Sequence, residues 1–422
     1  MSKLVAQTPP MGWNSWDCYG ASVREDEVRG NAEYMAAHLK QYGWEYVVVD
    51  IQWFEPNAKS DLYNPFAPLV MDEYSRLMPA VNRFPSAAGG RGFKPLGDYI
   101  HSLGLKFGIH ILRGIPRQAV AANTPILGTE YRAADIANTN STCAWNTDMY
   151  GVDPSKPGAQ EYYNSLFQLY AEWGVDYVKV DDIASPIYHK GEIELIRNAI
   201  SNCGREMVLS LSPGPTSVAN GDHVSKYANM WRMTNDFWDR WEDLYAMFGY
   251  AAQWTEYIGP GHWPDADMLP LGRIGIRSAW GPRYTRFTKD EQIMLMSLWA
   301  IIRSPLMFGG DLRYNDEWTN SLITNEEVLN ITKSSYANRQ LYRDGNAIAW
   351  TALGEDGSVY LAHFNVGDEP AEVATELAQL ALSGKYQVRD LWARQNLEVV
   401  DQKVVTAVPA HGAKLLQLKA VK

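Results

Sequence analysis

Short apolar segments that end in polar residues alternate with longer amphipathic segments over roughly the first 310 residues of the chain. This alternation is typical of repeated strand–helix units, in which helices cover a parallel sheet. The pattern predicts eight strands: residues 11–16, 46–52, 106–111, 177–180, 207–211, 230–233, a short one before residue 263, and 306–308. Eight such strands favour a closed (β/α)8 TIM barrel.

Four amphipathic segments between these strands predict helices of three or more turns, at residues 25–42, 157–173, 192–202 and 289–302. Gly43, Gly104 and Gly174 follow helical segments closely, where glycine can end a helix in the left-handed conformation. Residues 113–154 show no clear periodicity and predict a long loop. Such a loop in a compact domain more often carries function than not.

After about residue 330 the pattern changes to short alternating runs separated by turn signals such as Glu355-Asp-Gly-Ser. These runs predict a small antiparallel β-sandwich. We therefore expect a catalytic barrel over residues 1–330 and a C-terminal antiparallel β-sandwich over residues 331–422. Because no low-complexity linker separates them, the two domains should pack directly on each other.

The charge balance and the cysteine content exclude several classes of protein. The 38 basic and 49 acidic residues give a net charge of −11, which argues against a nucleic-acid partner or an anionic membrane. Three cysteines without a Cys-x-x-Cys spacing indicate neither a disulfide framework nor a zinc site. The chain start shows no signal peptide, so we expect a cytoplasmic location unless a leader has been removed. The sequence leaves open whether the protein forms an oligomer.

The chain is rich in aromatic residues that carry a polar group, with 16 tryptophans and 24 tyrosines. The C–H faces of sugars stack on such rings, which favours a small carbohydrate as substrate. A large aromatic-rich core explains the same composition equally well.

Carboxylates follow three of the predicted strands. Asp50 ends the run Tyr-Val-Val-Val, Asp181 and Asp182 follow Tyr-Val-Lys-Val, and Asp236 follows the segment that begins at residue 229. The carboxyl ends of the strands in a parallel barrel share one mouth, where the chemistry of such folds takes place. Two acids there are the minimal equipment for glycoside hydrolysis, one as nucleophile and one as general acid/base. The sequence has no phosphate-binding P-loop motif and no Gly-x-Ser-x-Gly nucleophile motif.

Four ordered motifs, Pro-Met-Gly-Trp-Asn-Ser-Trp (residues 10–16), Tyr-Val-Lys-Val-Asp (177–181), Trp-Arg-Met-Thr-Asn-Asp (231–236) and Pro-Gly-His-Trp-Pro-Asp-Ala-Asp-Met (260–268), together resemble glycoside hydrolase family 27. That family comprises α-galactosidases, α-N-acetylgalactosaminidases and β-L-arabinopyranosidases. Segments 292–301 and 388–392 resemble its last barrel helix and its C-terminal sandwich, so the resemblance spans the chain.

The resemblance implies roles for individual residues. Asp181 would be the nucleophile and Asp236 the acid/base. Asp182 is next to the expected nucleophile, where a second acid would raise the pKa of either one, so we expect it to be a helper or loop residue. Asp239 follows Asp236 on the same loop, and we expect it to be structural. The implied substrate-binding residues are Trp16, Asp50, Ile51, His110, Lys179, Ser212, Arg232, Asp265 and Met268. In particular, Trp16 would stack on the sugar, although a barrel-core aromatic remains an alternative for this residue.

The sequence departs from the family pattern at several positions. Ile51 stands where the family has a second sugar-binding aspartate, and Gln52 stands where it has a disulfide cysteine. His110 replaces a tyrosine, and Ser212-Pro-Gly-Pro replaces the loop that reads the substituent at C2. The two residues expected to be catalytic match the family pattern. The departures leave open how the protein recognises the substituents at C2 and C6 of the sugar.

We therefore expect a retaining exo-glycosidase that needs no cofactor and no metal, and that hydrolyses terminal α-D-galactopyranosides. The alternative substrate is a β-L-arabinopyranoside, which Ile51 favours. Two other functions compete with this expectation. One is a catalytically silent carbohydrate-binding protein, and the other is a hydrolase that holds a metal through Asp265 and Asp267.

Overall fold

The computed structural model of the chain describes residues 5–421. Within this range the N-terminal part contains a sheet of eight parallel strands. The strands are β1 (Met11–Asn14), β2 (Tyr46–Val49), β3 (Lys106–Leu112), β4 (Val175–Asp181), β5 (Val208–Leu211), β6 (Met230–Arg232), β7 (Trp263–Asp265) and β8 (Leu306–Phe308). Their spatial order is β7-β6-β5-β4-β3-β2-β1-β8. A parallel bridge between Leu269 and Phe308 joins the two ends of this order and closes the barrel.

Helices connect consecutive strands and lie outside the barrel. They are α1 (Glu25–His38), α2 (Lys94–Ser102), α3 (Ala159–Glu172), α4 (Lys190–Asn202), α5 (Gly221–Tyr227), α6 (Trp241–Gln253), α7 (Lys289–Ile301), α8 (Glu317–Ile323) and α9 (Glu326–Ser334). The fold class predicted from the sequence is thus confirmed. The left-handed conformation predicted for Gly43, Gly104 and Gly174 is also present, with φ values of 97°, 72° and 79°.

Two of the predicted strands, those at residues 11–16 and 46–52, end at Asn14 and Val49 because the chain leaves the sheet early. After β1, Asn14 Oδ1 accepts a hydrogen bond from the Trp16 amide at 2.9 Å, and Trp16 begins a short helix that ends at Tyr19. After β2, residues 51–54 form turns instead of continuing the strand to residue 52. Trp16 and Asp50 consequently lie at the carboxyl ends of their strands, at the barrel mouth.

The segment from residue 113 to residue 154 contains secondary structure, which corrects the prediction of an irregular loop. It forms a three-stranded antiparallel sheet from Ile115–Pro116, Ala137–Thr142 and Met149–Val152. Two short helices, Arg117–Ala122 and Ala133–Ile136, lie between the first two of these strands. The strands are too short, and the second is too polar, to give an alternating apolar signal in the sequence.

The C-terminal part is the predicted antiparallel β-sandwich. Its strands are β9 (Tyr336–Asp344), β10 (Ala347–Leu353), β11 (Val359–Asn365), β12 (Ala371–Glu376), β13 (Tyr386–Asp390), β14 (Gln395–Val400), β15 (Lys403–Val408) and β16 (Gly412–Ala420). One sheet has the order β9-β10-β11-β16-β13-β14, and β12 pairs with β15. Leu361 and Leu416 of the larger sheet are buried in one apolar cluster with Val404 of β15.

The sandwich packs directly on the barrel helices. Phe364 of β11 meets Phe248 of α6 edge to face, with ring centroids 5.0 Å apart. The Trp392 indole donates a hydrogen bond to Ser297 Oγ of α7 at 2.8 Å, and the His411 ring stacks on Trp241 at 3.5 Å. The apolar core of the barrel therefore continues into the sandwich. The division into two domains near residue 330 remains a prediction.

Among residues 5–421, no helix combines the length and the apolar character that crossing a membrane requires. Residues 1–4, which belong to the segment used for the expectation about a leader peptide, lie outside the described residues.

Candidate active site

A cavity of about 470 Å³ opens at the carboxyl ends of the barrel strands. Eight of the residues predicted from the sequence line it: Trp16, Asp50, Ile51, Lys179, Asp181, Arg232, Asp236 and Met268. They come from several strand ends, which the closure of the barrel brings to one mouth. The predicted site residues that are distant in sequence thus lie around one space large enough for a small ligand.

Asp181 is the last residue of β4, and its carboxylate is held on two sides. His110 Nε2 lies 3.0 Å from Asp181 Oδ2, and Ser212 Oγ donates to Oδ1 at 2.9 Å. Burial alone would raise the pKa of Asp181, but the hydrogen bond from His110, the charge of Lys179 and the Ser212 hydroxyl together lower it below its ordinary value. Asp181 is therefore an ionised, oriented carboxylate at the cavity wall.

Asp50 and Lys179 form a buried ion pair at the same mouth. Lys179 Nζ and Asn14 Nδ2 lie 2.9 Å and 2.7 Å from Asp50 Oδ2, and the Ile51 amide donates to Oδ1 at 2.8 Å. Burial opposes ionisation of Asp50, but the Lys179 charge, the nearby His110 and the hydrogen bonds from the Ile51 amide and Lys179 together outweigh burial and lower the pKa of Asp50. Both groups therefore present fixed charges to the cavity.

Asp236 also lines the cavity. Its side chain is 55% exposed, whereas the side chain of Asp181 is 14% exposed. Arg232 donates from Nη2 to Asp236 Oδ1 at 3.0 Å, and its Nη1 lies 2.7 Å from Asp267 Oδ1. The Arg232 guanidinium thus links the carboxylates of Asp236 and Asp267. Burial raises the pKa of Asp267, and the nearby Asp236 charge adds to this effect, although Arg232 opposes it.

Three predicted substrate-binding residues do not line the main cavity. His110 and Ser212 lie behind Asp181 and contact its carboxylate. Asp265 lies deeper in the barrel, where it lines a small internal space of about 10 Å³, roughly the volume of one water molecule.

Asp182 and Asp239 are engaged by arginines. Asp182 Oδ2 pairs with Arg113 at 3.0 Å, and Asp239 accepts from Arg283 at 2.5 Å and from the Arg286 amide at 2.8 Å. Neither of these two described carboxylates lines the main cavity. The helper role expected for Asp182 and the structural role expected for Asp239 remain predictions.

Asp265 and Asp267, the pair considered for a metal, are tied into the loop after β7. The Asp267 amide donates to Asp265 Oδ1 at 2.9 Å, and the Phe237 amide donates to Asp267 Oδ2 at 2.8 Å. Among residues 5–421, no group of three or more His, Cys, Asp or Glu side chains is arranged to hold a metal ion. The guanidinium of Arg232 is a positive partner of Asp267.

The structure adds wall residues that sequence reasoning missed. Tyr63 stacks on Trp16 with centroids 6.1 Å apart, and Trp145 packs against Tyr63 at 5.6 Å. Asp17 and Trp238 also line the cavity. The aromatic-rich composition and the long segment 113–154, which contributes Trp145, were the only signals in the sequence that pointed to this wall.

Comparisons with known proteins agree with this geometry. The profile of the family described as "Alpha galactosidase A" matches residues 151–334, and that of the "Alpha galactosidase C-terminal beta sandwich domain" matches residues 344–418. Alpha-galactosidase 2 of Arabidopsis thaliana is 27% identical over 428 residues, covering 99% of this chain and 91% of that protein.

Solved structures include much more similar proteins. A GH27 β-L-arabinopyranosidase from Geobacillus stearothermophilus is 62% identical, with a TM-score of 0.97 and coverage of 99% of this chain and 97% of that chain. A variant of that enzyme in complex with arabinose is 61% identical, with a TM-score of 0.98 and coverage of 99% and 98%. The fold, the acids at the strand ends and these matches define a glycoside hydrolase. The chain belongs to glycoside hydrolase family 27.

Proposed function

We propose that this chain is a retaining exo-β-L-arabinopyranosidase with a weaker α-galactosidase activity. The observation that carries the proposal is the position of Ile51, an apolar side chain on the cavity wall directly after the sugar-binding candidate Asp50. The β-L-arabinopyranosidase that is 62% identical to this chain supports the same substrate. The sequence motifs by themselves placed α-galactosides first, so the order of the two substrates is reversed here.

The physical basis of this preference is the hydroxymethyl group of galactose. β-L-Arabinopyranose has the ring configuration of α-D-galactopyranose but lacks the CH2OH group at C5. Ile51 cannot accept a hydrogen bond from a 6-hydroxyl, and burying that hydroxyl without a partner costs roughly 1 to 3 kcal/mol. An apolar side chain is compatible with the bare C5 of arabinopyranose, so galactose is penalised and arabinose is not.

The proposed reaction is a double displacement. Asp181 attacks the anomeric carbon and forms a glycosyl ester, while Asp236 gives its proton to the leaving glycosidic oxygen. Asp236 then takes a proton from a water molecule, which attacks the anomeric carbon and releases the Asp181 carboxylate. Two inversions at the same carbon retain the anomeric configuration.

Two features of the site support these roles. The hydrogen bonds from His110 and Ser212 keep the Asp181 carboxylate ionised and fixed, as a nucleophile requires. The exposure of Asp236 gives its carboxyl group access to the leaving group and to water.

The test is a comparison of kcat/KM for nitrophenyl β-L-arabinopyranoside and nitrophenyl α-D-galactopyranoside. We expect the arabinopyranoside to react faster, by about 5-fold or more, which is the lower end of the cost of an unpartnered 6-hydroxyl. A higher kcat/KM for the galactoside would instead support α-galactosidase as the main activity. Nitrophenyl α-N-acetylgalactosaminide should react poorly, and product release with retained configuration can be followed by NMR.

The same assay separates the competing functions. A silent carbohydrate-binding protein would bind L-arabinose and hydrolyse none of these substrates. A metal-dependent hydrolase would lose activity in EDTA and regain it with a divalent cation. We expect hydrolysis that EDTA does not change.

A further inference from the structure

The carboxylates of the proposed site lie at different depths in the cavity. The side chains of Asp50 and Asp181 are 2% and 14% exposed, whereas that of Asp236 is 55% exposed. In the proposed reaction Asp236 protonates the glycosidic oxygen, so this oxygen lies on the open side of the sugar ring. The leaving group must therefore extend from Asp236 toward the cavity opening, while the sugar that is cleaved off fills the inner part.

Two tryptophans line the cavity in its outer part. Trp238 follows Asp236 by two residues on the same loop and is half-buried. Trp145 is 37% exposed and packs on Tyr63, which stacks on Trp16. Trp16 in turn packs against a separate buried cluster formed mostly by strand residues, so Trp145 is the outer end of this series of rings. Aromatic faces thus continue beyond the sugar-binding candidates, along the path of the leaving group.

The loop that carries Trp238 is fixed by its neighbours. The Phe237 amide donates to Asp267 Oδ2 at 2.8 Å, and the Phe237 ring is buried. The Trp238 amide donates to Asp243 Oδ2 at 3.2 Å, and the Trp238 carbonyl oxygen accepts from the Arg240 amide at 2.8 Å. The backbone of Trp238 is therefore held in place before a ligand binds, which lowers the entropy cost of using its ring as a contact surface.

The charge of the cavity restricts the chemistry of the leaving group. Six aspartates are among the described residues that line it, and its two cations, Lys179 and Arg232, are already paired with aspartates. This excess of acids disfavours an anionic leaving group such as a phosphate ester or a uronic acid. Tryptophan rings pack on the C–H faces of a neutral sugar, and the exposed Asn235, which also lines the cavity, offers an amide to its hydroxyls. A neutral sugar residue fits these features.

We propose that the outer cavity is an aglycone subsite for a neutral pyranose residue, in which Trp238 and Trp145 stack on the sugar that serves as the leaving group. The inference deepens the proposed function and rests on it, because this subsite receives the part of the substrate beyond the glycosidic oxygen that Asp236 protonates. The substrate is then a glycoside whose aglycone is itself a sugar, rather than an aryl, lipid or phosphate group.

A subsite for a leaving sugar also accepts a sugar in the reverse direction. After nitrophenol has left, the arabinosyl ester of Asp181 can react with water or with a hydroxyl of a sugar bound in the outer cavity. In the second case Asp236 takes the proton of that hydroxyl, the hydroxyl oxygen bonds to the anomeric carbon, and the ester bond to Asp181 breaks. The products are a disaccharide and the free Asp181 carboxylate, so the extent of transfer reports occupancy of the subsite.

The experiment uses nitrophenyl β-L-arabinopyranoside as donor and increasing D-glucose as acceptor, with methanol as an acceptor too small to stack. Chromatography measures the ratio of transfer product to free L-arabinose. Both products arise from the same intermediate, so this ratio does not depend on the amount of active enzyme. The proteins are the wild type, Trp238→Ala, Trp238→Phe, Trp145→Ala and, as a control, Trp318→Ala on α8, outside the described cavity lining.

We expect saturable transfer to D-glucose by the wild type. Trp238→Ala and Trp145→Ala should each lower the ratio for D-glucose about 5-fold, because each removes one ring face from the subsite. Trp238→Phe keeps a ring and should stay within about 2-fold of the wild type. Transfer to methanol should change little in these variants, and Trp318→Ala should change neither ratio. If Trp238→Ala is not recovered as folded protein, Trp238→Leu replaces it.

Three outcomes would overturn the inference. The first is release of nitrophenol by the wild type without saturable transfer to D-glucose. The second is an unchanged D-glucose ratio in either alanine variant, since both rings are part of the proposed subsite. The third is an equal fall for D-glucose and methanol, which would mean that the tryptophans only shield the intermediate from water. Equal transfer to sodium D-glucuronate and D-glucose would overturn the restriction to neutral sugars.

Failure of the proposed function has a different signature. Nitrophenol would then be released only from the α-galactopyranoside, and transfer from that donor to D-glucose would still depend on Trp238. Release of nitrophenol from neither donor would overturn the proposed function and the subsite together.

Discussion

His110 Nε2 lies 3.0 Å from Asp181 Oδ2, in contact with the carboxylate proposed as the nucleophile. The imidazole is fully buried, and its Nδ1 atom has no hydrogen-bond partner among residues 5–421. The ring nitrogen that faces the carboxylate is Nε2, and a proton on this nitrogen makes the imidazole a hydrogen-bond donor to Asp181. His110 therefore acts as a fixed donor toward Asp181.

This contact predicts a change in the pH profile. The hydrogen bond from His110 lowers the pKa of Asp181, and the nucleophile must be ionised to attack, so activity is lost as the pH falls through that pKa. His110→Phe removes the donor and should raise the pKa of Asp181, moving the acid limb of kcat/KM to higher pH. The measurement is kcat/KM for a nitrophenyl arabinopyranoside from pH 3 to pH 7.

His110→Gln is the matched control, because its amide can still donate to Asp181. Its acid limb should lie between those of the wild type and His110→Phe. An acid limb that stays in place in His110→Phe would show that His110 does not set the ionisation of the nucleophile.

Removing either of the two carboxylates proposed as catalytic should abolish turnover without unfolding the protein. Asp181→Ala and Asp236→Ala each remove a covalent or proton-transfer role that no neighbour can take over, so kcat should fall by at least about 1,000-fold. Azide should restore activity to Asp181→Ala and yield a glycosyl azide of inverted configuration. Asp182→Asn is the control, because Arg113 holds Asp182 outside the cavity. If Asp182→Asn lowered kcat as much as Asp181→Asn does, the nucleophile would be misassigned.

Ile51 should control the choice between the two sugars. Ile51→Asp supplies an acceptor for the 6-hydroxyl and should shift the ratio of kcat/KM toward the galactoside by about 5- to 150-fold. Ile51→Val keeps an apolar wall and should leave the ratio close to that of the wild type. If Ile51→Asp leaves the ratio unchanged, residue 51 does not recognise the substituent at C6, and the substrate preference has another origin.

The C-terminal sandwich should be needed for folding although it contributes no residue to the described lining of the main cavity. Removing residues 331–422 would expose the apolar surface that Phe248 presents to Phe364 and leave Ser297 without Trp392. We expect this truncation to be insoluble or aggregated. Size-exclusion chromatography checks the outcome, and a monomeric, fully active barrel would refute the expected interface.

Local sequence pattern determined the strands and the acids at their ends. An apolar run such as Tyr-Val-Lys-Val is long enough to define β4, and a carboxylate directly after it can only lie at the barrel mouth. The family motifs then favoured Asp181 over its neighbour Asp182 as the proposed nucleophile. Strand ends were less certain, because the turn after Asn14 depends on a side-chain hydrogen bond that periodicity does not show.

Contacts between residues far apart in the chain were decided only by the tertiary structure. Trp16, Tyr63 and Trp145 form one aromatic wall because separate loops fold over the same mouth, and no local pattern specifies that meeting. The sequence by itself determined which residues are candidates for the chemistry, whereas the fold decided which of them are paired and which line the cavity, because pairing and burial arise only when the barrel closes.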